Sequence, residues 1–208
     1  MLNIPLFRMT ALGLVAMCLA IGGCIGKSQP TKFYTLSSIS ERKPASNPES
    51  QALDMVIGIG PVKMADYLNQ SKIVTRGNGN QIVQAEFNQW SGSLKDNLTN
   101  VLAENVGDLL ATDRIFIYPW RTYMPVDYQV SLDISRFDGQ PGREVFLVAR
   151  WIIIGAEEKE LHIIKKSEIR EQTDSDGYQG FVTAQSRALG RLSQEIAETL
   201  RTLVQREN

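Results

Sequence analysis

The spacing of hydrophobic residues along the chain predicts two long amphipathic helices. In residues 89–111, and again in residues 178–205, large apolar side chains recur at steps of three and four positions. An α-helix turns once in about 3.6 residues, so each set forms one apolar stripe that faces a core. The stripe residues are Trp90, Leu94, Leu98, Leu102, Val106 and Leu109 in the first helix, and Val182, Leu189, Leu192, Ile196, Leu200 and Leu203 in the second.

Three consecutive segments before the second helix have the patterns of β-strands. Residues 127–137 alternate apolar and polar side chains, which is typical of a strand with one wet face. Residues 145–154 are apolar at almost every position, so both faces of this strand are largely apolar, which predicts a central place in the sheet. The more polar residues 161–172 predict a strand nearer an edge. Because the turns between these segments are short, we expect an antiparallel meander.

The first half of the chain adds shorter strands. Residues 53–64 are apolar and β-branched as far as Pro61, and residues 114–119 form a short apolar run that ends in a proline. Residues 71–77 and 81–88 flank a Gly-Asn-Gly-Asn turn and predict a hairpin. The order of strands, helix, strands and helix predicts an α+β fold. We expect an antiparallel or at most mixed sheet, with both helices packed on one of its faces.

The first 25 residues have the pattern of an export signal. Arg8 is the only charged side chain among residues 1–23, and residues 9–25 are almost entirely apolar or small. A positive start, a short apolar core and a small-residue exit are typical of a secretory signal peptide. A transmembrane helix is the alternative, but it needs about 20 apolar residues, and this run is shorter and contains glycines.

Four residues at the end of this segment resemble the bacterial lipobox: Ile21, Gly22, Gly23 and Cys24. The resemblance implies that a signal peptidase removes residues 1–23 and that Cys24 then carries an S-diacylglycerol group and an N-acyl chain. Several acyl chains anchor a protein stably in a membrane, whereas a single chain holds it only weakly. A disulfide between Cys24 and Cys18 is the alternative, but Cys18 lies in the segment to be removed.

The residues that follow Cys24 suggest a destination and a division of the chain. Residues 25–26, Ile-Gly, lack the aspartate that resembles an inner-membrane retention signal, which favours the outer membrane of a Gram-negative bacterium. Residues 37–51 are rich in Ser, Pro and Asn and predict a flexible linker or an exposed loop. We therefore assign residues 1–23 to a signal peptide, residues 24–52 to the lipid anchor, a first short strand and the linker, and residues 53–208 to one α+β periplasmic domain.

Charge and reactive residues argue against several classes of function. The whole chain has a formal net charge of −1, which argues against a nucleic-acid-binding protein, since such proteins usually present a basic face. His162 is the only histidine in the sequence, and it accompanies no nucleophile motif, so we expect a surface or packing role for it. After cleavage Cys24 is the only cysteine. We expect no catalytic or metal-binding residues and no cofactor besides the lipid, and therefore an interaction module rather than an enzyme.

Three short motifs fall short of the sites they resemble. Residues 58–63 begin like a dinucleotide-binding loop but lack its third glycine. Residues 91–93, Ser-Gly-Ser, lack the frame of a hydrolase nucleophile and predict a helix cap instead. Residues 174–177 lack the spaced acids of a calcium loop and predict the turn before the last helix. Three aromatic residues are candidates for a contact surface, although packing in the core or a loop is the commoner role for any one of them: Tyr67, Trp120 and Tyr123.

Three segments carry a resemblance to one known family. Residues 32–36, Lys-Phe-Tyr-Thr-Leu, are similar to the strand that opens its members. Residues 57–98 follow the family order of an apolar strand, a Tyr-Leu pair, an Ile-Val-x-Arg strand and a tryptophan before a leucine-spaced helix, and the last helix with the acidic Gly-Tyr turn before it also fits. There are two departures, because Pro61 precedes the valine and Ala65 stands where a proline is common. The family that these segments resemble is the ABC-type transport auxiliary lipoproteins, the PqiC-like family, and the resemblance covers nearly all of the chain after Cys24.

This resemblance implies a role in lipid transport between membranes. It implies a lipoprotein on the periplasmic face of the outer membrane that docks a conduit formed by an MCE-domain protein, PqiB-like, which works with a membrane permease. A ring-shaped partner also suggests a homo-oligomer. Three alternatives remain open: a stand-alone lipid carrier, an assembly factor for an outer-membrane protein, and an envelope enzyme.

Overall fold

The main sheet of the computed structural model has five strands in the order β5-β2-β6-β7-β8. Strands β6, β7 and β8 form the antiparallel meander that the sequence predicts. Strand β2 instead runs parallel to both of its neighbours, so the sheet is mixed. The chain leaves β2 and returns to β5 through a long crossover that includes a helix, which is what a parallel pair requires. The strands are β2 (Ile57–Met64), β5 (Ile115–Ile117), β6 (Tyr128–Gly139), β7 (Glu144–Gly155) and β8 (Leu161–Gln172).

A second, three-stranded sheet has the order β1-β4-β3. Strands β3 (Lys72–Arg76) and β4 (Ile82–Trp90) form the predicted hairpin. Strand β1 (Lys32–Tyr34) lies parallel to β4 and begins beside Asn88. The sequence predicted β1 and the hairpin as strands but not their union in a sheet of their own.

Both long helices form, although the first begins later than predicted. Helix α2 is Leu94–Leu110, and the hydroxyl oxygen of Ser93 caps it by accepting a 3.2 Å hydrogen bond from the backbone amide of Asp96. The prediction of a helix from residue 89 is therefore wrong at its start. Trp90 is the last residue of β4, and it fits the helical spacing because it is buried in the same core.

The two helices pack against each other and contact strands of the main sheet. Helix α3 (Tyr178–Glu207) contacts β7 and β8, and α2 contacts β2 and β5. Both predicted stripes supply fully buried residues, including Leu98 and Leu102 on α2 and Leu189 on α3. The predicted α+β arrangement is thus confirmed.

The structure describes residues 29–42, 55–121, 124–155 and 161–207. The chain divides into Met1–Pro30 and a compact unit, Thr31–Asn208. Most of the first unit lies outside the described residues. The predicted signal peptide and the lipobox residues Ile21, Gly22, Gly23 and Cys24 are therefore still predictions.

Part of the predicted linker is ordered against the helices. The amide of Ser37 donates a 3.1 Å hydrogen bond to the hydroxyl of Ser186, and the amide of Ile39 donates a 2.7 Å bond to the side-chain oxygen of Asn105. Asn105 in turn donates to Ser193 on α3 at 3.1 Å. A short helix, α1 (Ile39–Arg42), starts here. The linker prediction is wrong for these residues, and the remainder of the predicted linker lies outside the described ones.

Candidate partner-binding groove

A surface groove of about 430 Å³ separates the β2–β5 edge of the main sheet from the first turns of α2. Two large apolar side chains that line it stay exposed: Tyr118, which is 52% exposed, and Ile117, which is 39% exposed. They belong to or directly follow β5, which is an edge strand of only three residues. Large apolar groups that stay in water at a sheet edge favour contact with another molecule.

An aromatic pair stiffens this wall of the groove. The rings of Tyr118 and Trp120 meet edge to face, with centroids 5.5 Å apart and an interplanar angle of 88°. This geometry is a favourable one for two aromatic rings because the edge of one faces the electron-rich face of the other. The pair holds Tyr118 at the surface while Trp120 is half-buried beneath it.

Two glycines of β2 make room for that aromatic pair. A side chain at Gly58 would place its Cβ only 2.7 Å from the ring of Trp120. At Gly60 the Cβ would lie 2.8 Å from the Cβ of Tyr118, and the φ of +115° also favours glycine. The Gly-x-Gly sequence, which resembled part of a dinucleotide loop, thus serves close packing against the aromatic residues. The peptide bonds before Pro61 and Pro119 are both cis.

The opposite wall of the groove is polar. It comes from the first two turns of α2, where Lys95, Asp96 and Asn100 are exposed and Thr99 donates a 2.7 Å hydrogen bond to the carbonyl of Lys95. A groove with one apolar, proline-lined wall and one wall of mixed charge suits an extended segment of a partner protein. Within the described residues it brings together no set of groups arranged for acid–base or nucleophilic chemistry.

Outside the groove, a cluster of titratable side chains surrounds the buried residue Asp138. Asp138 is fully buried near the end of β6. Its carboxylate accepts hydrogen bonds from the hydroxyl of Tyr67 at 2.6 Å, from both Nε and Nη2 of Arg76 at 3.1 and 2.8 Å, and from Nε of Arg136 at 2.8 Å. Because Arg76 ends β3 and Asp138 lies on β6, this cluster joins the two sheets.

The cluster shifts the pKa of both of its acidic members. Burial by itself would raise the pKa of Asp138, but the hydrogen bonds from Arg76, Tyr67 and Arg136 outweigh it and hold that pKa below its ordinary value. Burial, together with the hydrogen bond to Asp138 and its negative charge, raises the pKa of Tyr67 to about 12. Asp138 is therefore ionised and fully engaged at neutral pH, which makes its role structural.

The other residues singled out in the sequence lie apart from one another. His162 is half-buried on β8, where its ring packs over Gly155 and lies 5.8 Å from the ring of Tyr128. Residues 174–177 form the predicted turn before α3, and the carboxylate of Asp174 accepts a 2.6 Å hydrogen bond from Arg187. The capping prediction for the Ser-Gly-Ser motif is also confirmed, by Ser93.

The three aromatic residues predicted as candidates for a contact surface lie in different places. Tyr67 belongs to the Asp138 cluster and has a packing role, whereas Trp120 supports the groove. Tyr123 lies outside the described residues. Sequence reasoning missed Ile117 and Tyr118, although a very short apolar strand followed directly by Tyr-Pro is a signal for an exposed edge.

Two further features are absent from the described residues. None of their helices is long and apolar enough to cross a membrane. They also contain no group of three or more His, Cys, Asp or Glu side chains placed to hold a metal ion.

Comparison with known proteins identifies the family. Residues 34–197 match the family described as the ABC-type transport auxiliary lipoprotein component. The chain therefore belongs to this family, as its sequence motifs predicted. It is an auxiliary component of a transport system, and its family is not one of known enzymes.

Solved structures share the fold at low sequence identity. A crystal structure of a protein from Xanthomonas campestris matches with a TM-score of 0.68 and 14% identity, over 85% of this chain and 99% of the other. A crystal structure of a protein described as uncharacterized matches with a TM-score of 0.66 and 18% identity, over 83% and 99% of the two chains. At these identities the likeness shows the fold alone. No curated protein matches the chain.

Proposed function

We propose that this protein is a lipid-anchored subunit at the outer membrane that docks the periplasm-spanning conduit of an MCE-type lipid transport system. In this proposal Cys24 carries the acyl chains, and a PqiB-like MCE-domain protein with its membrane permease is the partner. The observation that carries the proposal is membership of the auxiliary lipoprotein family. Family membership specifies a lipoprotein of a transport system, and the MCE partner is our extension of it.

The groove beside α2 supports a docking role. Tyr118 and Ile117 give it exposed apolar area, which is the usual centre of a protein interface, and the charged wall opposite gives it a polar rim. We expect the partner to present an extended segment with an apolar side chain toward Tyr118. Because the conduit is a ring, we also expect several copies of this protein around it.

A pull-down from detergent-solubilised envelopes tests the proposal. The tagged full-length protein is compared with its Cys24→Ala variant, and co-purified proteins are identified by mass spectrometry. We expect an MCE-domain protein with the wild type, together with fractionation of the wild type in the outer membrane. The Cys24→Ala variant should leave the outer-membrane fraction, since the acyl chains supply its anchoring.

The same experiment separates the alternatives. Recovery of a β-barrel protein instead of an MCE protein would favour an assembly factor. If neither is recovered, extraction of phospholipid from vesicles by the purified protein becomes the test of a lipid carrier. The docking proposal does not survive if an MCE protein fails to appear under conditions in which the wild type is intact and membrane-bound.

A further inference from the structure

Strand β8 forms a free edge of the main sheet. It is 12 residues long and lies at the end of the strand order, beside β7. An edge strand leaves a row of backbone N–H and C=O groups without strand partners, which makes it a template for a strand of another chain. Natural proteins usually block such an edge, so the part of β8 that is left open is a candidate contact surface.

The backbone groups that point out of this edge belong to even-numbered residues. The amide of Thr173, directly after β8, donates a 2.9 Å hydrogen bond to the carbonyl of Arg143, directly before β7. In an antiparallel pair, successive residues direct their backbone groups alternately toward the partner strand and away from it. The register between β7 and β8 is regular over residues 163–172. Over this span the odd-numbered residues therefore bond β7, and the even-numbered residues point outward.

Arginines of α3 close the C-terminal part of the edge. Arg187 donates a hydrogen bond to the carbonyl of Gln172, and Arg191 donates a 3.4 Å bond to the carbonyl of Arg170. Both carbonyls belong to even-numbered residues, which agrees with their outward direction. Elsewhere in the described part of β8, no side chain bonds the outward backbone groups of residues 164–168 in this way. The edge is thus blocked at one end and open in its middle.

The open part of the edge carries charges that are complementary to themselves. Lys166 and Glu168 are exposed and form a salt bridge with each other, whereas Ser167 between them bonds Glu195 of α3 on the other face of the sheet. Two copies can pair antiparallel about a two-fold axis at Ser167. Lys166 of each copy then lies opposite Glu168 of the other, because a two-fold contact repeats every pair.

Neighbouring registers are less favourable. A shift of the two-fold axis by one position in either direction sets one of the charged residues opposite its own copy, and like charges directly opposite each other destabilise a strand pair. With the axis at Ser167, Ile164, which is 63% exposed, lies opposite Arg170 of the second copy, whose aliphatic stem covers it. Arg191 then releases the carbonyl of Arg170, to which its bond is long.

We propose that two copies of this protein pair through residues 164–170 of β8, antiparallel and about a two-fold axis at Ser167. The two main sheets join into one sheet of ten strands, which has β5 and its groove at each end, so the contact leaves both grooves free. A lysine on an edge strand ordinarily discourages pairing. Here it selects a strand with an acid at the matching position, and this chain carries one. The inference rests neither on the acylation of Cys24 nor on an MCE partner.

Charge reversal and its rescue test this contact. Sedimentation equilibrium of the full-length lipidated protein in a density-matched detergent gives the Kd of the dimer. Lys166→Glu turns both opposite-charge pairs into like-charge pairs, and Glu168→Lys does the same, so each should raise the Kd at least about fivefold. The double variant should return the Kd to within about twofold of the wild-type value. An equimolar mixture of the two single variants should do so as well, because a mixed dimer again has two opposite-charge pairs.

Three further variants separate the contact from general effects of charge. Lys63→Glu on β2 and Glu86→Lys on β4 change the charge by the same amounts at exposed positions, and they should leave the Kd unchanged. Because the N–H of Lys166 points away from β7, Lys166→Pro removes a hydrogen bond of the dimer and none of the main sheet. This variant should abolish the dimer and keep the circular dichroism of the folded protein.

The outcomes distinguish this inference from the proposed function. A wild-type protein that stays monomeric up to about 1 mM would overturn the inference. A dimer that neither charge reversal weakens would also overturn it, because that dimer would use another surface. A dimer that both reversals weaken, without rescue in the mixture, would show that the register is wrong. Failure to capture an MCE-domain protein would disprove the proposed function and leave the result on the dimer unchanged.

Discussion

The hydroxyl of Tyr67 donates a 2.6 Å hydrogen bond to the carboxylate of Asp138, although 71 positions separate the two residues. Tyr67 lies in a short 3₁₀ helix that follows β2, and Asp138 lies on β6. Arg76 bonds the same carboxylate from the small sheet. One buried negative charge therefore fixes three separate parts of the chain to one another.

Replacing Asp138 with asparagine should destabilise the protein strongly. The variant removes the charge but leaves Arg76 and Arg136 beside it, and the loss of one partner from a buried ion pair costs about 3 kcal/mol or more. We expect a decrease of that size in the free energy of unfolding, measured by urea denaturation. Asp133→Asn is the matched control, because Asp133 lies on the same strand with its side chain exposed. Equal stability of the two variants would contradict the structural role of the cluster.

The pKa of Tyr67 predicts a loss of stability in alkali. Burial and the bond to Asp138 raise this pKa from 10.0 to about 12. Between these two pH values the unfolded chain loses the tyrosine proton before the folded chain does, so deprotonation favours unfolding. The contribution of protonated Tyr67 to the free energy of unfolding is complete below pH 10 and is lost as the pH rises toward 12. In urea unfolding from pH 9 to 11, about one unit below and above the ordinary tyrosine pKa, Tyr67→Phe should show a flatter decline than the wild type.

Tyr118→Phe is the control for that measurement, because Tyr118 is exposed in the groove. The free energy of unfolding of Tyr118→Phe should decline with pH as that of the wild type does. If Tyr67→Phe loses as much stability with rising pH as the wild type does, groups other than Tyr67 cause the loss.

Adding a methyl group at Gly58 should disturb the groove through Trp120. The new Cβ would lie 2.7 and 2.8 Å from two ring carbons of Trp120 and 3.0 Å from a methyl carbon of Val126. Such overpacking costs about 1–3 kcal/mol. We expect Gly58→Ala to lower the melting temperature and to change the near-UV circular dichroism of the tryptophans. Gly92→Ala is the control, because nothing lies within 4 Å of its Cβ position. If the two variants behave alike, Trp120 does not pack as described.

Removing the ring of Tyr118 should weaken partner binding without unfolding the domain. The side chain is 52% exposed, so Tyr118→Ala should change the stability little, whereas a central aromatic residue of an interface contributes at least about tenfold in affinity. Capture of the MCE-domain protein is measured against Ile164→Ala, which removes another exposed apolar side chain, on β8. If Tyr118→Ala binds as well as the control, the partner docks elsewhere on the surface.

Local patterns in the sequence were enough for most of the secondary structure. The leucine spacing of residues 94–110 and the stripe of α3 report helices because neighbouring turns bring those residues onto one face. The alternation in residues 127–137 reports β6, and the cap at Ser93 is recognisable from a serine before an apolar run. Family membership was likewise predictable, since it depends on the order of short motifs along the chain.

Contacts between distant segments required the tertiary structure. No local period indicates that β2 lies parallel between β5 and β6, that β1 joins the hairpin, or that Ser37–Ile39 bond to the helices. The groove depends on the same kind of information, because Gly58 and Trp120 meet across 62 positions and neither residue alone suggests the other. Periodicity reports which face of an element is buried. The partner against which that face packs is decided by contacts and hydrogen bonds between distant segments, summed over the whole fold.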